Sequence, residues 1–532
     1  MDGEALQKLA DRFRYEVAEL LAASRALSSE RDAKKLLALI LEKTRQVTGA
    51  DAGSVYVLED DPAATLGTRR PPEKRLHFML SQNDSLKIDF QEFTLIVDEK
   101  SIVGKSVLTA KPINIPDLYS ASHGFQHNRS FDEKTGYRAR SMLTVPMLSA
   151  ENVVIGVIQL INKKRVPARK LAKPEDFDTE VVPFDDRSEE FALALASQAG
   201  LSLENAMLYE EIKDLFEGFV DASVQAIESR DPTTSGHSRR VATLSVELAT
   251  RVDAVGEGPF RDVRFSPTTL KQLEYAGVLH DFGKVGVREK VLVKAKKLYE
   301  EDRQKIWLRF AYIRKTLQAD SAERKLRLAM ELGRDELAAR FADADAELAR
   351  KVAELDGAWA FINKANEPTV LEEGGLERLV EIGQLVYLGP DGEAKPYIER
   401  EEVAALQVRR GSLTDVERVE IESHVVHTYN FLKKIPWGKR FADVPRIAGA
   451  HHEYLNGGGY PRHLPAADIP VESRIMTIAD IFDALTASDR PYKKAVPIDR
   501  ALGIIESEVK AGKCDPGLFK IFVEGEVYKK VL

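Results

Sequence analysis

The sequence predicts an α+β domain joined by one long helix to an all-α domain that carries metal-type ligands. Three observations predict it. Runs of β-branched and aliphatic residues, separated by turn-rich stretches, fill the first third of the chain; a proline-free helical pattern spans 187–230; and seven of the ten histidines fall at positions 237, 280, 424, 427, 451, 452 and 463. At 532 residues the chain exceeds what one hydrophobic core organises, so two or three domains are expected.

Residues 1–24 read as an N-terminal helix: they mix charges of both signs at helical spacing and lack the uninterrupted apolar core of a signal peptide. Residues 25–186 form the α+β domain. Leu36, Leu37, Ile40 and Leu41 recur at three- and four-residue spacing before Gly49, and strand-like segments follow at 54–58, 75–80, 113–115, 141–147 and 153–161, which gives an antiparallel sheet. The connecting helix is expected at 187–230. Along it Leu201, Asn205, Leu208, Ile212, Leu215, Phe219 and Ala222 make an alternating four-three repeat, which suits a parallel coiled coil with one polar position and hence a homodimer. The other reading packs this stripe on the chain's own domains. Residues 231–532 form the helical domain, interrupted at about 300–410 by a charge-rich, histidine-free stretch read as an inserted helical hairpin with breaks at Asn366-Glu367-Pro368 and Gly389-Pro390-Asp391-Gly392.

Composition excludes several functions. With 44% apolar and 30% charged residues the chain is an ordinary globular protein, and 77 basic against 85 acidic side chains give a net charge of −8, which argues against a nucleic-acid surface. Cys514 is the only cysteine, so no intrachain disulfide and no cysteine-rich zinc site can form. No stretch approaches the roughly 20 apolar residues of a membrane span. A cytoplasmic protein without membrane contact is expected.

The chemistry is concentrated in the C-terminal part. His280 and Asp281 are adjacent, His451 and His452 form a second pair, and Asp480, His237 and His424 stand on separate predicted helices. Together they are seven ligands for two metals, a hydrolytic site whose mixed nitrogen and oxygen donors suit a carboxylate bridge. Without an ion, several helices would each bury a polar group needlessly.

The order of these runs resembles the HD-GYP family of metallophosphohydrolases, over about residues 215–300 and 410–532. The opening motif appears as Arg230-Asp231-Pro232-Thr233-Thr234-Ser235-Gly236-His237, the HD signature as Leu279 to Gly286, the GYP signature from His451 to Pro461, and the closing Asp-x-x-Asp-Ala-Leu-Thr with Arg-Pro-Tyr from Asp480 to Tyr492. The resemblance implies that His237, His280, Asp281, His424, His451, His452 and Asp480 hold two divalent ions, with iron or manganese favoured. Thr233 stands where tyrosine is usual, and with no carboxylate ligand there a third ion is not expected.

The implied activity is hydrolysis of cyclic di-GMP to linear pGpG or GMP, with Asp281 and Lys284 as catalytic groups. Lys284 would offset charge on a phosphate oxygen, and Arg490 would grip a phosphate or a guanine edge. Gly458, Gly459 and Tyr460 would meet the substrate or, as the resemblance also implies, a diguanylate cyclase. Two alternatives stay open: a catalytically silent cyclic-dinucleotide receptor, and a phosphodiesterase for another cyclic dinucleotide such as cyclic GMP-AMP.

The N-terminal part resembles a GAF domain, a small-molecule sensory module, over about residues 25–205, through SIVGKSVLTAKPINIPDLYS, FDEKTGYRARSMLTVPM and VVIGVIQLINKK. The polar stretch 123–140 would be its lid. Asn162, Lys163 and Phe184 fit part of the cyclic-nucleotide motif of such domains, but Ser188 replaces its aspartate. A cyclic nucleotide, another small ligand or dimerisation alone remain the alternatives for this part.

Overall fold

Leucines at helical spacing and strands of alternating character assemble the N-terminal part into a sheet with a helix against one face. The computed structural model describes residues 32–60, 74–86, 92–120, 123–125, 129–230, 236–372, 374–487 and 495–531. The helix expected at 1–24, Thr233 and Arg490 lie outside these residues. The chain divides into two units, Met1–Phe216 and Glu217–Leu532.

In the first unit, α1 (Ala33–Thr48) starts where the Asp32 side chain accepts from the Lys35 amide and stops at Gly49, whose φ of 75° breaks the helix. The strands are β1 (Ala50–Asp60), β2 (Lys74–Asn83), β3 (Phe93–Ile96), β4 (Ile113–Ile115), β5 (Met142–Leu148), β6 (Val154–Lys164) and β7 (Val181–Val182), with α2 (Ile102–Thr109), α3 (Ser130–Thr135) and α4 (Pro174–Thr179) between them. The sheet is antiparallel in the order β3-β2-β1-β6-β5-β4, with β7 beside β6. Val55 and Val57 of β1, Leu143 and Val145 of β5, and Ile158 and Leu160 of β6 point to one face, where they bury Leu36, Leu37, Ile40 and Leu41. Their sequence neighbours Tyr56 and Val157 face the other side with Phe78 and Val103.

The long helix α5 (Asp186–Arg230) covers the first face with Ala192, Ala196, Ala199 and Leu203. Its approach requires Gly200: a Cβ there would lie 2.1 Å from the Leu148 carbonyl oxygen. Two strands were not expected from sequence, β3 and β7. Both are short, and β3 is an edge strand with Phe93 and Ile96 exposed, so its apolar pattern lacks the burial that marks the central strands.

The second unit is helical. It contains α6 (His237–Asp253), α7 (Pro267–Leu279), a 3₁₀ turn (Phe282–Gly286) and α8 (Glu289–Leu292), then, after residues 300–410, α13 (Asp415–Leu432), α14 (Val444–Ala448), α15 (Val471–Thr486), α16 (Ile498–Lys510) and α17 (Pro516–Glu524). The intervening stretch is the antiparallel pair α9 (Glu300–Glu331) and α10 (Arg334–Ala365), followed by α11 (Gly375–Gln384), β8 (Val386–Leu388), β9 (Ala394–Pro396) and α12 (Arg400–Leu406). It has its own core of Ile306, Phe310, Ile313, Leu355, Ile362, Leu379 and Leu406. The sequence break at Gly389-Pro390-Asp391-Gly392 is the turn of a β8–β9 hairpin, closed by the Gly389 amide on the Glu393 carbonyl at 2.8 Å. The base of this stretch is tied to α13: Lys294 Nζ lies 2.7 Å from the Glu417 carboxylate, which also accepts from the Tyr299 hydroxyl.

Candidate metal centre

Each predicted ligand is placed by a helix end or a helix face. His237 is the first residue of α6 and follows Gly236, which takes a φ of 66°. His280 caps the C-terminus of α7, and Asp281 leads into the 3₁₀ turn. That turn packs against α13 because Gly283 has no side chain: a Cβ would fall 1.9 Å from the His424 carbonyl oxygen. Thr428 of α13 fastens the contact, receiving the Gly283 amide at 2.8 Å and donating to the His280 carbonyl at 2.9 Å. His424 therefore sits beside His280 and Asp281. His451 and His452 follow α14, and Thr477 of α15 donates to the His451 carbonyl at 2.7 Å, one turn before Asp480.

All seven residues converge. His237 Nε2 is 3.2 Å from Asp480 Oδ1 and 3.7 Å from Asp281 Oδ2; His280 Nε2 is 3.5 Å from Asp281 Oδ2; His424 Nε2 is 3.4 Å from Asp281 Oδ1; and His452 Nδ1 is 3.9 Å from Asp480 Oδ2. Three sets have ligand atoms within 4.8 Å of one another: His237, His280 and Asp281; His280, His451 and Asp480; and His424, His451 and His452. The two Asp281 oxygens face different histidines, which is the disposition of a bridging carboxylate.

The hydrogen bonds fix which nitrogen faces inward. His280, His424 and His451 each place Nδ1 on the backbone carbonyl three residues earlier, Gly277, Ile421 and Ala448. A carbonyl only accepts, so each Nδ1 carries the proton and each Nε2 presents a lone pair. Those three Nε2 atoms are buried and have no hydrogen-bond partner. Buried acceptors left open cost about 1–3 kcal/mol each, and divalent cations held among them would satisfy each one, so the donor set fits metal.

Charge states of His424, His451, His452 and the two carboxylates agree with that fit. Burial, then the neighbouring imidazoles, hold His451 well below the ordinary histidine range; burial takes His452 down to about 4 and also lowers His424. For Asp281 and Asp480 burial pushes upward, yet Lys284 and the histidines around Asp281, and His237 beside Asp480, outweigh it and keep both well below the usual carboxylate range. His237 alone is raised, to about 9: burial opposes this, but its bonds to Asp480 and Asp483 prevail.

Lys284 Nζ rests 2.8 Å from Asp281 Oδ2. The glycine loop is held by its own groups: the Glu453 carboxylate accepts the Arg462 and Leu464 amides at 2.7 and 2.9 Å, and the Tyr460 amide donates to the His452 carbonyl at 3.0 Å. The Tyr460 ring lies 4.8 Å from the His452 ring, Gly458 is exposed, and Gly459 is buried against the Tyr454 amide. His427 and His463 are exposed.

In the first unit Asn162 is fully buried and bonds the Arg140 amide and the Arg138 carbonyl, both at 2.8 Å. Lys163 reaches Ser188 Oγ at 2.7 Å and Asp185 at 2.8 Å, and Phe184 is part of the core under α5. These three side chains are thus engaged within the fold. Sequence reasoning missed Arg240, Thr428 and Thr477, and it gave Asp483, the second aspartate of the Asp-x-x-Asp motif, no role. For Asp483 a signal was present, since it stands one helical turn beyond Asp480 on the same face.

Known proteins bear on both units. Residues 32–203 match the GAF domain family and residues 401–518 the HD domain family. The chain therefore carries a GAF domain and a helical HD domain, as the motifs imply, and it resembles proteins of the HD-GYP type. His237, His280 and Asp281 precede the matched HD stretch, and the fold brings them to it. Over 115 residues the chain is 42% identical to the 3′3′-cGAMP-specific phosphodiesterase 3 of Vibrio cholerae serotype O1, covering 22% of this chain and 24% of that protein. Over 102 residues it is 38% identical to the cyclic di-GMP phosphodiesterase response regulator RpfG of Xanthomonas campestris pv. campestris, covering 19% and 26%. The chain thus spans about a quarter of the length of these relatives. Among solved structures, the GAF domain from a Coxiella burnetii phosphoenolpyruvate-protein phosphotransferase covers 37% of this chain and 96% of its own, at 15% identity and a TM-score of 0.26.

Proposed function

We propose that this chain is a divalent-metal-dependent phosphodiesterase that opens cyclic di-GMP to linear pGpG and onward to GMP, under the control of its GAF domain. The observation that carries this reading is the set of three buried Nε2 lone pairs, without hydrogen-bond partners, that converge with two carboxylates. His237, His280, Asp281 and Asp480 would hold one ion, and His424, His451 and His452 a second, with Asp281 shared. Oxygen and imidazole donors without thiolate suit iron or manganese. Such a pair, when bound, supplies an activated water near neutral pH and neutralises phosphate oxygens.

The chain's own groups do the rest. Asp281 presents one oxygen to each ligand set, and Lys284 holds it there while adding positive charge beside the phosphate. Tyr460 offers a ring face to a base at the rim, and the exposed Gly458 lets a substrate approach the backbone closely. Arg490 is assigned to the phosphate by its motif. Incubating the full chain, loaded with Mn²⁺ or Fe²⁺, with cyclic di-GMP, cyclic GMP-AMP and cyclic mononucleotides, then chromatographing the products, tests this. Linear pGpG or GMP from cyclic di-GMP is expected; intact cyclic dinucleotides throughout would overturn the reading. A second reading, preference for cyclic GMP-AMP, is supported by the name of the Vibrio relative, and faster turnover of that substrate would select it.

The chain is further proposed to pair through α5. Leu208, Ile212, Leu215 and Phe219 of the four-three repeat are 44–77% exposed, while Leu203 and Ala206, earlier on the same helix, are buried. Glu204 and Glu211 flank the stripe on one side, with Tyr209 and Phe216 on the other. A parallel dimer sets acid against aromatic, whereas an antiparallel one sets acid against acid. Ile212→Asp should convert a dimer to a monomer in light scattering; a wild-type monomer would contradict the pairing. A small ligand bound unequally by two states of the GAF domain would then shift access to the centre.

A further inference from the structure

His237 is held differently from the other three fully buried histidines. His280, His424 and His451 use a carbonyl three residues earlier as the acceptor for Nδ1–H, and each such carbonyl lies on the element that carries or leads into the histidine. His237 opens α6, so it has no preceding helical carbonyl to use. Its Nδ1 meets Asp483 Oδ2 instead, at 2.7 Å. Asp483 projects from α15, one turn beyond Asp480, and is 1% exposed. Arg240, one turn along α6 from His237, grips both oxygens of that carboxylate: Nε to Oδ1 at 2.6 Å and Nη2 to Oδ2 at 3.1 Å.

Resting on the metal-centre reading above, we propose that Asp483 and Arg240 are positioning residues for one of the two ion sites. Asp483 fixes the His237 tautomer so that Nε2 faces Asp480 and Asp281, and Arg240 fixes the plane of Asp483. A two-point guanidinium–carboxylate contact sets orientation as well as distance, which a lysine could not reproduce. The arrangement also ties α6 to α15 at the centre, so the ligand at the start of one helix and the ligand within the other are set by a single carboxylate. Outer partners of this kind typically carry about 10–100-fold in metal affinity.

Mn²⁺ titration of the full chain by calorimetry, with metal content by mass spectrometry, tests this against a merely structural role. Asp483→Ala and Asp483→Asn should each weaken one class of site by about 10–100-fold and leave the other class unchanged. Arg240→Gln should weaken the same class, and Arg240→Lys should fail to restore it. Circular dichroism of the metal-free variants should match wild type, whereas the metal-free Asp483→Ala chain should melt lower because Arg240 loses its buried partner. The positioning role is therefore read from the selective loss at one class of site. Wild-type affinity at both sites in the two Asp483 variants would overturn the proposal, as would equal weakening of both sites. A wild-type chain that takes up no Mn²⁺ would instead overturn the metal-centre reading beneath it.

Discussion

The two units each bury a polar cluster, and the clusters differ in whether their groups satisfy one another. In the first unit Asp51 is fully buried, yet Oδ1 accepts from Ser85 at 2.7 Å and lies 3.0 Å from Lys164 Nζ, while Oδ2 accepts from the Tyr137 hydroxyl at 2.9 Å. Burial and then Asp51 push the Tyr137 phenol well above its ordinary range, which keeps it a donor. That carboxylate is closed. In the second unit the inward nitrogens of His280, His424 and His451 have no donor, and two carboxylates share their space. Burial alone therefore marks neither cluster as functional. Scattered open atoms such as Arg45 Nε and Asn114 Oδ1 of the first unit mark nothing by themselves, whereas three open nitrogens converging with two carboxylates form a set that something outside the chain would complete.

The largest effect that would break this contrast concerns the open cluster. Asp281→Ala should abolish cyclic-dinucleotide hydrolysis and strip metal from the chain, because one carboxylate serves both ligand sets; unchanged turnover would refute its role. Next, Asp51→Ala should cost the first unit about 1–3 kcal/mol by leaving the buried Tyr137 hydroxyl without its acceptor and Lys164 with Asp84 alone, while metal content stays at the wild-type level. Urea denaturation alongside metal analysis reads both quantities, and a loss of metal in this variant would erase the distinction.

A smaller effect concerns the tie between the inserted stretch and α13. Burial raises the Glu417 carboxyl, but bonds from Lys294, Tyr299 and Thr414 outweigh it and bring it from 4.5 down to about 2. A carboxyl depressed in the folded state stabilises fully above its unfolded value, and that stability fades as pH falls from about 4.5 toward 2. Glu417→Gln should flatten the melting temperature across this window relative to wild type. An unaltered acid limb would show that the tie contributes nothing.

Much of the fold and the ligand set could be read from residues, for identifiable reasons. Central strands such as β1, β5 and β6 announce themselves because both of their faces are buried, which selects near-continuous runs of β-branched and aliphatic residues. Adjacent His280-Asp281 and His451-His452 stand out because two polar metal-type residues side by side have few structural uses. Asp483 stands in the Asp-x-x-Asp motif, but its role does not show in the sequence because its partners His237 and Arg240 are 246 and 243 residues away and meet it only when α6 and α15 pack together. The hairpin turn at residues 389–392 read only as a break, because strands of three residues carry too little pattern. Asn162, Lys163 and Phe184 fitted a ligand motif by type, whereas their partners, the Arg138–Arg140 backbone, Asp185 and the core under α5, come from distant segments that spacing alone does not reveal.

The central claim is that the open histidine nitrogens are ligands. The most direct measurement is the divalent-metal content of the full chain purified without chelator, compared with His451→Ala. Two ions of iron or manganese per chain are predicted for the wild type, with marked loss in the variant. A wild-type chain without divalent metal after incubation with Mn²⁺ and Fe²⁺ would contradict the account.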